Sequence, residues 1–203
     1  MTGPAYSRLA VDERRRQLLE AGERVFAEHA YDDVSMAEIA RAAGISKGLL
    51  YHYFPSKRDL FVATLEARAQ ELAGLTEPDP SLPVAEQLTQ SVDAYLAWIE
   101  DHAASYAKLV ESMSGSDEVR SYMAQVRTDT VERILGGLVT GGDPAAVRTA
   151  LHGFLWFMDG ACLDWLAHRD LAREQLRDML VMTFVGAVGA AAQAGPPVEL
   201  ALG

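Results

Sequence analysis

The chain has 203 residues, 49% of them hydrophobic, so a packed core is within reach and disorder is not expected. One cysteine, Cys162, excludes an internal disulfide framework and a cysteine-based zinc site. The formal net charge of −11 alone argues against nucleic acid, but its distribution argues otherwise: residues 1–60 carry nine basic and nine acidic side chains, and residues 61–203 nine and twenty. Within 35–58, Arg41, Lys47, Lys57 and Arg58 face the single acid Glu38. Met1–Ala10 has no long apolar run and does not read as a leader. The longest nearly uncharged apolar run, Met179–Ala192, is 14 residues, short of the ~20 a membrane span requires. These readings predict a cytoplasmic protein with no membrane partner.

Apolar residues recur at three and four positions almost throughout, so the chain is expected to be all-α, with about nine helices and no convincing strand. The first helix is predicted over Val11–Ala30, with Leu18, Ala21, Gly22, Val25, Phe26 and His29 on one stripe and Arg14, Arg15 and Arg16 towards solvent. Ser35-x-x-Glu38 is a capping box that opens a short helix through Ala42 or Ala43. Gly44 suits a left-handed helix end. Ser46 can cap a third helix, Lys47–Tyr53, which Pro55 stops. Ser56-x-x-Asp59 opens a fourth, to about Ala73.

Pro78, Pro80 and Pro83 make the clearest break in the chain. Beyond it helices are predicted near 84–101, 102–113, 117–138, 144–168 and 171–194, separated by Gly115 and by the Gly136-Gly137 and Gly141-Gly142 pairs. Asp143-Pro144 is a helix start signal. The tail from Gly195 is expected to fray.

Helix, glycine turn, helix is the helix-turn-helix pattern. Met36, Ile39, Ala40, Ala43, Ile45, Leu49 and Leu50 can form a small core. Ser46, Lys47, Gly48, Tyr51, His52 and Tyr53 would then face outward. Lysine and hydroxyls suit phosphate oxygens, Gly48 permits close approach, and aromatic edges can touch a thymine methyl. Some residues here also have a plainer reading: Ser35 and Ser46 as caps for their helices, Tyr51 as packing under the motif, His52 as plain surface.

The string from Ser35 to Phe61, above all Tyr-His-Tyr-Phe-Pro-Ser-Lys-Arg-Asp-Leu over Tyr51–Leu60, closely resembles the DNA-binding segment of the tetracycline-repressor (TetR) family. The resemblance covers about residues 11–65. It implies a DNA-binding domain over 1–56 and an effector-binding and dimerisation domain over 57–203. It implies that Ser46, Lys47, Gly48, Tyr51, His52 and Tyr53 meet DNA, and that Lys57 and Ser35 contact phosphate. It further implies a homodimer on a palindromic operator, usually as a repressor. Ala30 departs from the family, which commonly has glycine there, so that helix end is expected to be built differently.

In the body, the helix from Asp143 is apolar almost all round (Phe154–Met158, Ala161–Leu163, Trp165, Leu166) and is expected to be buried on every side. With the small-residue last helix it suits a four-helix bundle between two copies; a thick monomer core is the other reading. Asp159, interrupting that helix, needs a partner, a proton or a solvated cavity. Trp98, Tyr106, Trp156 and Asp159 are the candidate contacts for a small hydrophobic or cationic effector, and ordinary core explains such residues too. The alternative is a DNA-binding regulator without an effector, controlled by a protein partner or by concentration. Catalysis is not expected: His152 and Cys162 lie ~15 Å apart along one helix, and phosphate loops, nucleophile elbows and metal-ligand spacings are missing from the sequence, so no cofactor or metal is expected.

Overall fold

The computed structural model describes residues 4–201, with side chains from Val11 onward. The leader reading of Met1–Ala10 falls outside the described side chains. Among the described residues there are nine α-helices, one 3-10 turn and two short strands. In order they are α1 (Pro4–Glu28), the turn Tyr31–Asp33, α2 (Met36–Ala42), α3 (Lys47–Tyr53), α4 (Lys57–Leu75), α5 (Val84–Asp101), α6 (Ala103–Gly115), α7 (Asp117–Leu138), β1 (Val139–Gly142), α8 (Ala145–His168), α9 (Arg173–Ala194) and β2 (Val198–Leu200).

The chain forms two compact units. The first runs through Glu71 and adds Ala104–Arg120; the second holds Leu72–Ala103 and everything from Ser121. In the first, Leu18, Ala21 and Phe26 of α1 are buried, as are Ile39, Leu50, Phe54, Leu60 and Phe61. Phe26 and Phe61 meet edge to face at 4.9 Å, and Phe61 and Tyr31 lie 4.8 Å apart. His29 is exposed beyond the end of α1, so it leaves the expected stripe: the helix stops at Glu28 before the next turn could bring it inward. Ala30 takes extended backbone (φ −62°, ψ 149°), so no left-handed residue is needed there and alanine is unstrained.

In the second unit α9 packs on α8 and α5. The core gathers Val131 and Leu135 of α7, Val147, Leu151, Phe154 and Leu155 of α8, and Val188 of α9. Two expectations are corrected here. The described part of the tail, through Ala201, does not fray, and strands exist: β2 pairs antiparallel with β1, Val139 opposite Leu200 and Gly142 opposite Val198. Val198 and Leu200 pack on the core, and that burial holds the tail down. Gly141-Gly142 belongs to this ribbon, while Gly136 and Gly137 lie inside α7. Gly142 has φ +84°, and a β-carbon there would sit 2.2 Å from the Pro197 carbonyl, so only glycine fits. Ala145 is the first residue of α8, with Pro144 at the cap position and the Asp143 carboxylate accepting the Ala145 N–H at 2.9 Å.

The expected burial of α8 on every side is not met within the chain. Trp156 and Phe157 are 59% and 41% exposed, because α9 and α5 cover only part of its circumference. Met182 and Val185 of α9 are likewise 69% and 55% exposed.

Candidate nucleic-acid interface

The reading face is built from local chemistry. The Ser35 hydroxyl accepts the Glu38 N–H at 3.3 Å, and the Glu38 carboxylate accepts the Ser35 N–H at 2.7 Å, closing the expected capping box. The Ser35 hydroxyl and N–H hold the Glu38 carboxyl below the usual carboxylate range. Gly44 turns the chain at φ +66°. Ser46 then caps α3, its hydroxyl accepting the Leu49 N–H at 3.2 Å. Buried Leu50 and Phe54 fasten α3 to the core, and both are at most 2% exposed.

That anchoring turns the opposite side of α3 to solvent. Ser46, Lys47, Gly48, Tyr51 and His52 are exposed and Tyr53 is half-buried. The Lys47 ammonium lies 5.6 Å from the Tyr51 ring, and His52 meets Tyr53 edge on at 5.7 Å. Tyr51 is 42% exposed. Leu49 corrects the expected core: it is 40% exposed and joins this face. In a helix of two turns, spacing alone cannot tell which of two adjacent leucines points inward. An exposed leucine among these polar groups can meet a thymine methyl.

A second constellation gathers around Tyr31. The Lys57 ammonium donates to the Tyr31 carbonyl at 2.8 Å and stands 4.3 Å over the Tyr31 ring. The Tyr31 N–H donates to the Ser112 hydroxyl at 3.3 Å, and its phenol to Glu118, which Arg58 also approaches at 3.6 Å. Lys57 therefore fastens the start of α4 to the turn before α2, with further N–H donors for a phosphate. Arg15, whose guanidinium lies 5.2 Å from the Phe54 ring, stands near the end of α3, where the sequence reading saw only a solvent-facing charge. The signal for that placement was an arginine three positions ahead of Leu18 on the apolar stripe.

The candidate effector residues are placed as follows. Tyr106 is buried in the first unit. In the second, Trp98 stacks on His102 at 4.4 Å with its indole N–H buried and without a partner among the described residues. Also there, the Arg127 guanidinium pairs with Asp159 and lies 3.9 Å from the Trp156 ring. Trp156 is otherwise exposed. Among the described residues no cluster of three or more His, Cys, Asp or Glu could hold a metal ion, and no helix is long and apolar enough to cross a membrane.

Comparison with known proteins agrees with this geometry. Residues 18–64 match the family model of bacterial regulatory proteins of the tetR family, and residues 84–187 that of a tetracyclin repressor-like C-terminal domain. The chain is similar to the transcriptional activator FasR of Mycolicibacterium smegmatis, 35% identical over 108 residues, or 52% of this chain. That match spans about half, 49%, of FasR. It is 26% identical over 166 residues to a transcriptional repressor of Mycobacterium tuberculosis, covering 68% of this chain and 89% of that one. A tetR-family transcriptional regulator from Streptomyces coelicolor has a similar structure, with a TM-score of 0.74 and 28% identity over 91% of this chain and 84% of that one. These relatives are transcriptional regulators, a non-enzymatic class.

Proposed function

Because this chain belongs to the TetR family of transcriptional regulators, we propose that it acts as a homodimer which reads a palindromic operator through α3 and is released from it by a small-molecule effector. The observation that carries the DNA reading is the face of exposed Ser46, Lys47, Gly48, Tyr51 and His52 with half-buried Tyr53, held on the buried helix-turn-helix core. Ser35 and Lys57 flank it as phosphate contacts. Two such faces from one dimer would meet half-sites about one helical turn, ~34–36 Å, or a related spacing apart.

The exposed apolar residues of α8 and α9, Trp156, Phe157, Met182 and Val185, support the dimer, since such a patch on one chain calls for a partner. Functionally, 1–56 is the DNA-binding part and 57–203 the effector and dimer part. The effector, small and apolar or cationic, binds within 84–168. Trp98, Tyr106, Trp156 and Asp159 are its candidate contacts. The orphaned indole N–H of Trp98 supports an effector with an acceptor atom, because a buried donor left unmet costs about 1–3 kcal/mol. The effector acts by moving α4, which changes the separation of the two recognition helices.

The test is binding of the purified protein to duplexes from its own promoter region at two salt concentrations, beside Lys47→Ala and Tyr53→Ala. Specific, salt-sensitive binding that collapses in both variants supports the reading. Equal binding by all three defeats it. A thermal-shift screen of apolar and cationic compounds on the same protein then separates effector control from control by a protein partner or by concentration.

A further inference from the structure

The core-facing stripe of α1 ends in a charge. At 100° per residue, Arg15, Leu18, Gly22 and Phe26 fall within about 80° of one another around the helix. Leu18, Gly22 and Phe26 are buried, yet Arg15 is exposed, because α1 runs on past the core. Its guanidinium is not loose. It lies 5.2 Å from the ring of Phe54, which is 2% exposed and is the C-terminal cap residue of α3. The next residue along, Arg16, is neutralised by Glu13 and Glu20. Among the described residues Arg15 is in no ion pair.

A guanidinium held near a ring by cation–π attraction spends no N–H on a carboxylate there and keeps N–H groups able to donate. The group is thus pinned at one end of α3 while Lys47 stands at the other. α3 has seven residues, about 10 Å at 1.5 Å per residue, against a major groove about 12 Å wide. A cation at each end of a helix of that length suits the phosphates on the two walls of the groove.

We propose that Arg15, held by Phe54, is a DNA-phosphate contact that grips the wall of the groove opposite the one held by Lys47. The inference rests on the DNA-reading function proposed above. It adds to that function a contact from α1, outside the helix-turn-helix itself.

The experiment uses a duplex selected from a random pool by the wild-type protein, with binding measured over a range of salt for wild type, Arg15→Gln, Arg15→Lys and Lys47→Ala. Arg15→Gln is expected to bind on the order of tenfold more weakly at low salt. Its slope of log affinity against log salt should be shallower by about 0.9 for each phosphate that is no longer neutralised. Arg15→Lys, which keeps the charge, should keep the wild-type slope. If Arg15 only packs on Phe54, Arg15→Gln can lose affinity or thermal stability but its slope stays at the wild-type value, and that overturns the proposal. Wild-type affinity and slope in Arg15→Gln, with Lys47→Ala defective, overturns the Arg15 proposal and leaves the DNA reading standing. Failure of the wild type to select any duplex overturns both.

Discussion

The phenol of Tyr31 donates to the carboxylate of Glu118 at 2.5 Å, joining residues 87 positions apart within one compact unit. The same residue receives Lys57 on its carbonyl and gives its N–H to Ser112. One buried tyrosine therefore ties the start of α4 and the α6–α7 junction to the turn before the helix-turn-helix. Tyr31→Phe keeps the ring among Phe26 and Phe61 and deletes only the donor. A hydrogen bond to a charged group is worth about 1.5–3 kcal/mol, but Glu118 is 45% exposed and keeps Arg58, so water meets much of the loss. The expected destabilisation is about 1 kcal/mol, read from the urea midpoint. An unchanged midpoint would show that the bond contributes nothing net.

The same phenol gives a pH dependence. Burial first, and then the Glu118 hydrogen bond, push the Tyr31 pKa well above its ordinary value. Above about pH 10 the unfolded chain has released this proton while the folded chain still holds it. The folded state then binds more protons than the unfolded state, so stability falls as pH rises, having been fully present below that point. Melting temperatures measured from about pH 9 to 11 should decline more steeply for wild type than for Tyr31→Phe. Parallel curves would refute the shift. The comparison cancels the other six of the seven tyrosines.

Cys162 is fully buried, and burial first, then the negative charge of Asp159, pushes its thiol up to about 12. The thiolate is the reactive form, so at about pH 8 the native protein should resist a thiol reagent such as dithionitrobenzoate. One equivalent should react on denaturation. Rapid labelling of the native state would mean that α8 opens locally.

How much of this is legible in the sequence depends on how local the cause is. The capping pairs Ser35 with Glu38 and Ser56 with Asp59, the Ser46 cap and the Gly44 turn each act within four residues, and all stand where the sequence places them. The β1–β2 ribbon is invisible there because strands of four and three residues carry no period, and their pairing joins segments more than fifty residues apart. Gly142 reads as a helix separator, although its cause is the Pro197 carbonyl against its α-carbon. Leu49 and Leu50 are adjacent, and only the packing decides which is core. Asp159 can be recognised as needing a partner, but a buried arginine 32 positions earlier cannot be named from spacing.

That arginine carries a stability prediction. Arg127 is 8% exposed and stands between the Asp159 carboxylate and the Trp156 ring. Removing one member of a buried pair leaves the other desolvated, typically costing about 3–5 kcal/mol. Asp159 keeps 18% of its side chain exposed, so Arg127→Ala should sit near the lower end, about 3 kcal/mol. Arg127→Ala, Asp159→Asn and the double variant form a cycle in urea unfolding. A coupling energy below about 0.5 kcal/mol would mean that the two side chains act independently.

The apolar faces of α8 and α9 make the last prediction. Trp156, Phe157, Met182 and Val185 expose more of themselves than any monomer core would allow, while the core on their other side, Leu151, Leu155 and Val188, is closed. A charge on that face therefore spares the fold and opposes association, because a buried, unpaired carboxylate is costly and an exposed one is not. Val185→Glu should leave the helical circular dichroism and the single-chain melt nearly unchanged. In sedimentation it should behave as a single chain of 22.1 kDa where wild type behaves as two. Affinity for a two-half-site duplex should fall steeply while affinity for a single half-site does not, since both recognition helices are needed only for the former. A Val185→Glu protein that still sediments as a dimer would place the interface on another surface, and the exposed face of α8 and α9 would then need a different partner.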